Sequence, residues 1–108
     1  MATSTTNYAT VSSATTSDWV HAYVQTEYRI DVDVDGFSGV TYTIQTTHND
    51  STGKVKTLVQ PSDVTTNWSF SDSATLLVPG NSFYRVNVSS VTGSGTVTIA
   101  VRETKKLT

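Results

Sequence analysis

Tyr28-Arg29-Ile30-Asp31-Val32-Asp33-Val34, then Asp35-Gly36-Phe37-Ser38-Gly39, then Val40-Thr41-Tyr42-Thr43-Ile44-Gln45 is the stretch that decides the fold. In its first run, Tyr28, Ile30, Val32 and Val34 alternate with Arg29, Asp31 and Asp33. In its last, Val40, Tyr42 and Ile44 alternate with Thr41, Thr43 and Gln45. Successive side chains of a strand point to opposite faces, so a period of two marks a half-buried strand with one apolar side. The segment between them carries two glycines, which tolerate the positive φ of tight turns. The stretch therefore reads as strand, turn, strand, and as the strongest hairpin of the chain.

The same pattern continues outward. Towards the C-terminus, Tyr84, Val86 and Val88 alternate with Arg85 and Asn87, and Val97, Ile99 and Val101 alternate with Thr96, Thr98 and Arg102. Thr92-Gly93-Ser94-Gly95 lies between these two runs and reads as a hairpin tip. Leu76–Val78 is a strand stopped by the turn dipeptide Pro79-Gly80. Val55–Val59 is a weaker strand ended by Pro61, which cannot donate to a central ladder. Asn67–Phe70 reads as a short edge strand. Nowhere does a 3.6-residue apolar stripe run for ten residues. The expectation is an all-β protein, an antiparallel β-sandwich of roughly seven to nine short strands, jelly-roll or immunoglobulin-like. Residues 1–17, rich in Ser, Thr and Ala, read as a flexible N-terminal arm with one short strand at Tyr8–Val11. Residues 18–108 read as the single β-sandwich domain.

Composition agrees. Ser and Thr fill 35 of the 108 positions and Val another 15, and β-branched residues suit a pleated surface. A net charge of −2 with 15% charged residues leaves no basic footprint for nucleic acid. There are no cysteines, so neither disulfides nor thiolate metal sites contribute. The polar start Met1–Thr10 has neither a basic nor an apolar leader region, and no apolar run is long enough for a membrane span, so neither a secretory leader nor a membrane partner is expected.

Three features resemble a family of small proteins encoded among the virion structural genes of tailed bacteriophages. One is Gly39-Val40-Thr41-Tyr42-Thr43-Ile44-Gln45-Thr46-Thr47 with Asp50 following; the second is the mid-chain Trp68. The third is Tyr84-Arg85-Val86-Asn87-Val88 followed by Gly95-Thr96-Val97-Thr98. Lys54–Thr66 and the tail from Arg102 depart from that pattern. The resemblance implies a virion component, such as a capsid decoration protein or a head or tail fibre module, and brings no catalytic residues.

Asp31-Val32-Asp33-Val34-Asp35-Gly36 opens like a calcium loop, D-x-D-x-D-G. That loop needs a bidentate Glu at its twelfth position to complete the oxygen shell, and the twelfth position here is Tyr42. The alternating valines fit a strand, which would place Asp31 and Asp33 on its solvent face, where they discourage edge-to-edge pairing. His21 and His48 have no companion at metal-ligand spacing. Ser and Asp are too abundant for a Ser-His-Asp set to mean anything, and no Gly-x-Ser-x-Gly elbow exists. No catalytic, cofactor or metal residue is therefore assigned. Among the aromatics, Trp19 and Trp68 stand beside polar residues and are candidates for exposure, whereas most of the others are expected in the core.

The reading is a non-enzymatic virion structural protein that acts by self-association and surface binding. Its expected partners are further copies of itself, a trimer for example, and other virion proteins such as the capsid shell or a fibre. A second reading is a glycan- or receptor-binding β-sandwich module on a host-recognition fibre. An aromatic platform on one sheet would favour the second reading and a flat hydrophilic exterior the first.

Overall fold

A computed structural model describes residues 6–23, 26–49 and 51–104. Two antiparallel sheets enclose one core, and among the described residues there is no helix. The first sheet has the order β1 (Thr6–Val11), β11 (Thr96–Glu103), β3 (Glu27–Asp35), β9 (Ala74–Pro79). The second has the order β2 (Val20–Ala22), β10 (Ser82–Thr92), β4 (Gly39–Thr47), with β5 (Lys56–Thr57) and β8 (Ser69–Phe70) both on the outer side of β4. A separate hairpin joins β6 (Val59–Gln60) to β7 (Asp63–Asn67).

The pairing defines the winding. Leaving aside β5, β6 and β7, eight strands remain. The first pairs with the last (β1 with β11), the second with the seventh (β2 with β10), the third with the sixth (β3 with β9), and the fourth with the fifth (β4 with β8). A long four-rung hairpin wrapped on itself in this way is the jelly roll, not the immunoglobulin arrangement. Two further ladders, β11 with β3 and β10 with β4, close each sheet. Among the described residues eleven strands form where seven to nine were expected, and the surplus lies within Lys56–Asn67.

Two local expectations are corrected. The β3–turn–β4 stretch is not a hairpin, because β3 pairs with β11 and β9 while β4 pairs with β10, β5 and β8. Nor do β10 and β11 form a hairpin about Gly93, since they lie in different sheets. Both glycine-bearing links are corners that carry the chain from one sheet to the other. They pack against each other: the Ser38 amide donates to the Thr92 carbonyl at 3.0 Å. Gly36 and Gly93 adopt φ of 90° and 88°, and the Gly36 backbone lies against Ser94 and Gly95. Apolar alternation on both flanks suits a corner as well as a hairpin, because either arrangement points both apolar faces inward.

Of the expected arm over 1–17, residues 1–5 lie outside the described residues, and the short strand expected at Tyr8–Val11 is present as part of β1. Thr6–Val11 forms β1, matched residue for residue with Val97–Arg102. The chain then crosses to the second sheet. The Val88 amide donates to the Thr15 carbonyl at 2.9 Å, and the Ser17 amide to the Val86 carbonyl at 3.0 Å. The buried Ser17 hydroxyl accepts the Val86 amide at 3.1 Å, standing in for a ladder carbonyl. This segment is held by backbone bonds and by Ala9 and Val11, which pack partly buried against the core.

The core is the set the alternation nominated. Ile30, Val32, Val97, Ile99 and Val101 of the first sheet face Tyr42, Ile44, Tyr84, Val86 and Val88 of the second, all at most 2% exposed. The open flank beyond β4 is sealed by an aromatic ladder. Phe70 stacks on Tyr42 at 5.3 Å between ring centres, and Trp68 leans on Phe70 at 4.9 Å. The expected Val55–Val59 strand is split, because the Leu58 amide bonds the Ile44 carbonyl at 2.9 Å and the chain then leaves the sheet. Pro61 ends β6 as expected and begins the turn into β7.

Candidate functional site

The acidic row lies along β3. The Asp31 carboxylate accepts from Arg29 Nε at 3.1 Å and from Thr75 Oγ1 at 2.9 Å. Asp33 and Asp35 are exposed, and Asp35 leads into the Gly36 corner. The twelfth-position residue Tyr42 is fully buried and donates to the Asp72 carbonyl at 2.7 Å. Burial, then the neighbouring Asp72 and Asp33 charges, hold its phenol well above the usual range. The carboxylates follow a strand instead of converging. Among the described residues, no group of three or more His, Asp or Glu side chains could hold a metal ion.

Of the two tryptophans singled out from the sequence, Trp68 belongs to the ladder that flanks the core. Trp19 is half-buried on the outer face of the second sheet, with the Arg85 guanidinium 4.1 Å above its ring. Arg85 is further fixed by Gln45 Oε1 at 2.8 Å. The adjacent row of that face is aromatic. His21 lies parallel to Phe83 at 4.0 Å, and Tyr23 leans on His21 at 4.2 Å. Tyr23 remains 59% exposed. The outer face of the first sheet is different in kind: Thr10 and Thr98 share a hydrogen bond beside Asp33, with Thr75 and Asp31 in the next row.

At the end of the second sheet next to the aromatic row there is a cleft of about 340 Å³, lined by Thr46, Thr47, His48, Lys54, Lys56 and Ser82. Lys56 stands opposite Thr46 in the β4–β5 ladder, and Thr46 stands opposite Tyr84 in the β4–β10 ladder. Tyr84 donates to the Pro79 carbonyl at 2.6 Å. Burial raises its phenol pKa, partly offset by hydrogen bonding from the Ser82 and Thr46 side chains. The Thr46 hydroxyl donates to the Phe83 carbonyl at 3.0 Å. His48, which has no companion at metal-ligand spacing in the sequence, sits on this rim. Neither the cleft nor the aromatic row was read from the sequence. The one signal for it was the spacing of Lys54 and Lys56, which puts both on one side of an extended segment.

No protein-family model matches the chain, and searches of curated proteins and of solved structures give no match either.

Proposed function

We propose that the chain is a non-enzymatic structural protein of a bacteriophage virion, a capsid decoration protein or a head or tail fibre module that works by self-association and surface binding. The observation that carries this reading is the jelly roll with its open sheet edges. That winding recurs in capsid domains, an argument from fold analogy. In the first sheet both edges are unpaired, and each bears a large exposed apolar side chain: Tyr8, 70% exposed, on β1 and Leu77, 62% exposed, on β9. Open edges are templates for pairing with another chain. The outer face between them is rich in Thr and Asp, with Thr10, Thr98, Asp33, Thr75 and Asp31 in adjacent rows. Virion localisation and a closed homo-oligomer, such as a trimer, follow from the same reading.

Light scattering coupled to size exclusion tests it over a concentration series. The expected result is a homo-oligomer of fixed stoichiometry that Tyr8→Lys or Leu77→Lys converts to a folded monomer, its Tm lowered only by the association it has lost. A chain that stays monomeric at every concentration overturns the reading. The exposed Tyr23 beside stacked His21 and Phe83 favours the second reading, a glycan- or receptor-binding module.

A further inference from the structure

We propose that the open edge of β9 pairs antiparallel with β9 of a second copy, joining the two first sheets into one of eight strands across a two-fold axis. This rests on the self-association reading, to which it gives an edge, a register and a symmetry.

The hydrogen-bond phase of β9 is fixed at its end. The Gly80 amide donates to the Thr26 carbonyl at 2.7 Å, one step beyond Pro79 opposite Glu27 in the β3–β9 register. Bonds of an antiparallel ladder alternate, so the main-chain groups of Ala74, Leu76 and Val78 point at β3, and those of Thr75, Leu77 and Pro79 point out of the sheet edge. The Thr104 amide on the Glu27 carbonyl at 3.1 Å gives the same phase, because Glu27 there turns to the β11 side of β3. Pro79 has no donor to leave unpaired, which is why this edge position admits proline. Its carbonyl takes the Tyr84 hydroxyl at 2.6 Å. Two donors and two acceptors remain, on Thr75 and Leu77. Two hollows run along this edge, one of about 500 Å³ beside Leu77–Pro79 and one of about 340 Å³ beside Ser73–Thr75, and neither is lined by the Lys56–Asn67 segment.

That set is complementary to itself. Placing Thr75 opposite Leu77 of a second copy about a two-fold axis makes four main-chain bonds and leaves none of the eight groups unpaired. Centring the contact on Leu77 instead would set Thr75 against proline and strand the Thr75 carbonyl. The side chains agree. β9 carries no charged residue, the usual guard of an open edge. Leu77, 62% exposed, comes to lie against the Thr75 side chain of the second copy. Arg29 stands opposite Leu77 and Asp31 opposite Thr75. Each row crossing the seam therefore carries Arg29 of one copy and Asp31 of the other, and no like charges face each other. A strand of unrelated sequence would take the same four bonds, but a second copy also supplies the matching rows. A seam one strand long belongs with the small, concentration-dependent interfaces below about 1,200 Å².

The chain has no cysteine, so introduced ones report the register. Under mild oxidation the full chain carrying T75C/L77C is expected to crosslink as a dimer, because opposed Cα atoms lie about 5.5 Å apart, within disulfide reach. Either single variant stays uncrosslinked, since its two thiols are offset by two residues along the seam. In the unsubstituted chain, the Thr75 and Leu77 amides exchange freely at low concentration and are protected about tenfold or more as concentration rises, while Leu76 and Val78 are protected throughout. Leu77→Lys removes the added protection and Tyr8→Lys leaves it. A homo-oligomer that shows neither crosslink nor protection, and that Tyr8→Lys dissociates, overturns the β9 seam and leaves self-association standing. Crosslinking of L77C alone overturns the register. A chain monomeric at every concentration overturns both the seam and the self-association reading.

Discussion

Leu76 and Leu77 are the same residue type, adjacent on one edge strand, and on opposite faces. Leu76 stands opposite Ile30 with 6% of its surface exposed, and Leu77 stands opposite Arg29 with 62% exposed. Truncating a buried leucine costs the transfer energy of the lost methyl groups plus a cavity term, about 2–5 kcal/mol. Because β9 is at the sheet edge and can settle inward, Leu76→Ala should fall in the lower half of that range, about 2–3 kcal/mol. One kcal/mol moves the Tm of a domain near this size by about 4–8 °C, so the expected drop is roughly 10–20 °C. Leu77→Ala removes no core contact and should stay within about 0.5 kcal/mol. Urea denaturation at low protein concentration measures both without a contribution from association. Comparable losses, or the reverse order, would mean that β9 is displaced by one residue, since such a slip exchanges its two faces. The β3–β9 ladder is the third rung of the jelly roll, so that outcome would refute the winding itself.

Alkaline titration should destabilise the fold through Tyr42 and Tyr84, whose folded pKa values both lie above the ordinary phenol value of about 10. Their contribution is complete below that pH and is lost as pH rises towards the folded values, at about 1.4 kcal/mol per pH unit for each group. Denaturation curves at several alkaline pH values should show this slope, and Tyr42→Phe with Tyr84→Phe should flatten it. Gly95→Ala should destabilise strongly, by about 2 kcal/mol or more, because a Cβ there meets the Asp35 carbonyl and the Phe37 amide of the facing corner. Thermal denaturation checks it, with Ser94→Ala as a near-neutral control. Calcium should leave the Tm unchanged, because the Asp31 carboxylate is held by Arg29 and Thr75 and the twelfth-position residue is buried. A rise in Tm that Asp33→Ala abolishes would show the opposite.

What the sequence could show was which faces are buried. Period-two alternation in Tyr28–Val34, Val40–Gln45, Tyr84–Val88 and Val97–Val101 nominated the core residues correctly, because burial is a property of each strand alone. Partnership is a property of pairs separated far along the chain, and alternation says nothing about it. Asp35–Gly39 and Thr92–Gly95 therefore looked like hairpin turns and are inter-sheet corners. Three-residue β2 carries too few positions to show a period. The described arm residues are fixed by main-chain bonds to β11 and β10, which any sequence without proline can make. β7 is wholly exposed, and its turn is set instead by the Asp63 carboxylate, which accepts from the Thr65 amide and from the Thr65 and Thr66 hydroxyls. The candidate cleft was illegible for the same reason as the partnerships. Ser82, Thr46 and Lys56 come from three strands whose adjacency exists only once the roll is wound.

The two ends of the sandwich are unequal. At the Gly39 end the two corners pack backbone against backbone, with Gly36 and Gly95 in contact, leaving no room for a side chain and none for a ligand. Thr46 lies seven residues further along β4, roughly 23 Å away at the rise of an extended strand. There the connection leaving β4 turns through Asn49, whose carbonyl accepts the Gly53 amide at 2.8 Å, before the chain returns as β5. That return places Lys56 beside Thr46 and makes the cleft. Lys54 and Lys56 both lie in that returning segment, outside the eight strands of the roll. A scaffold that keeps its strands and varies one inserted loop changes what it binds without changing how it folds. The jelly roll thus accounts for the shape of the molecule, and the segment after β4 for the placement of two exposed lysines beside Thr46.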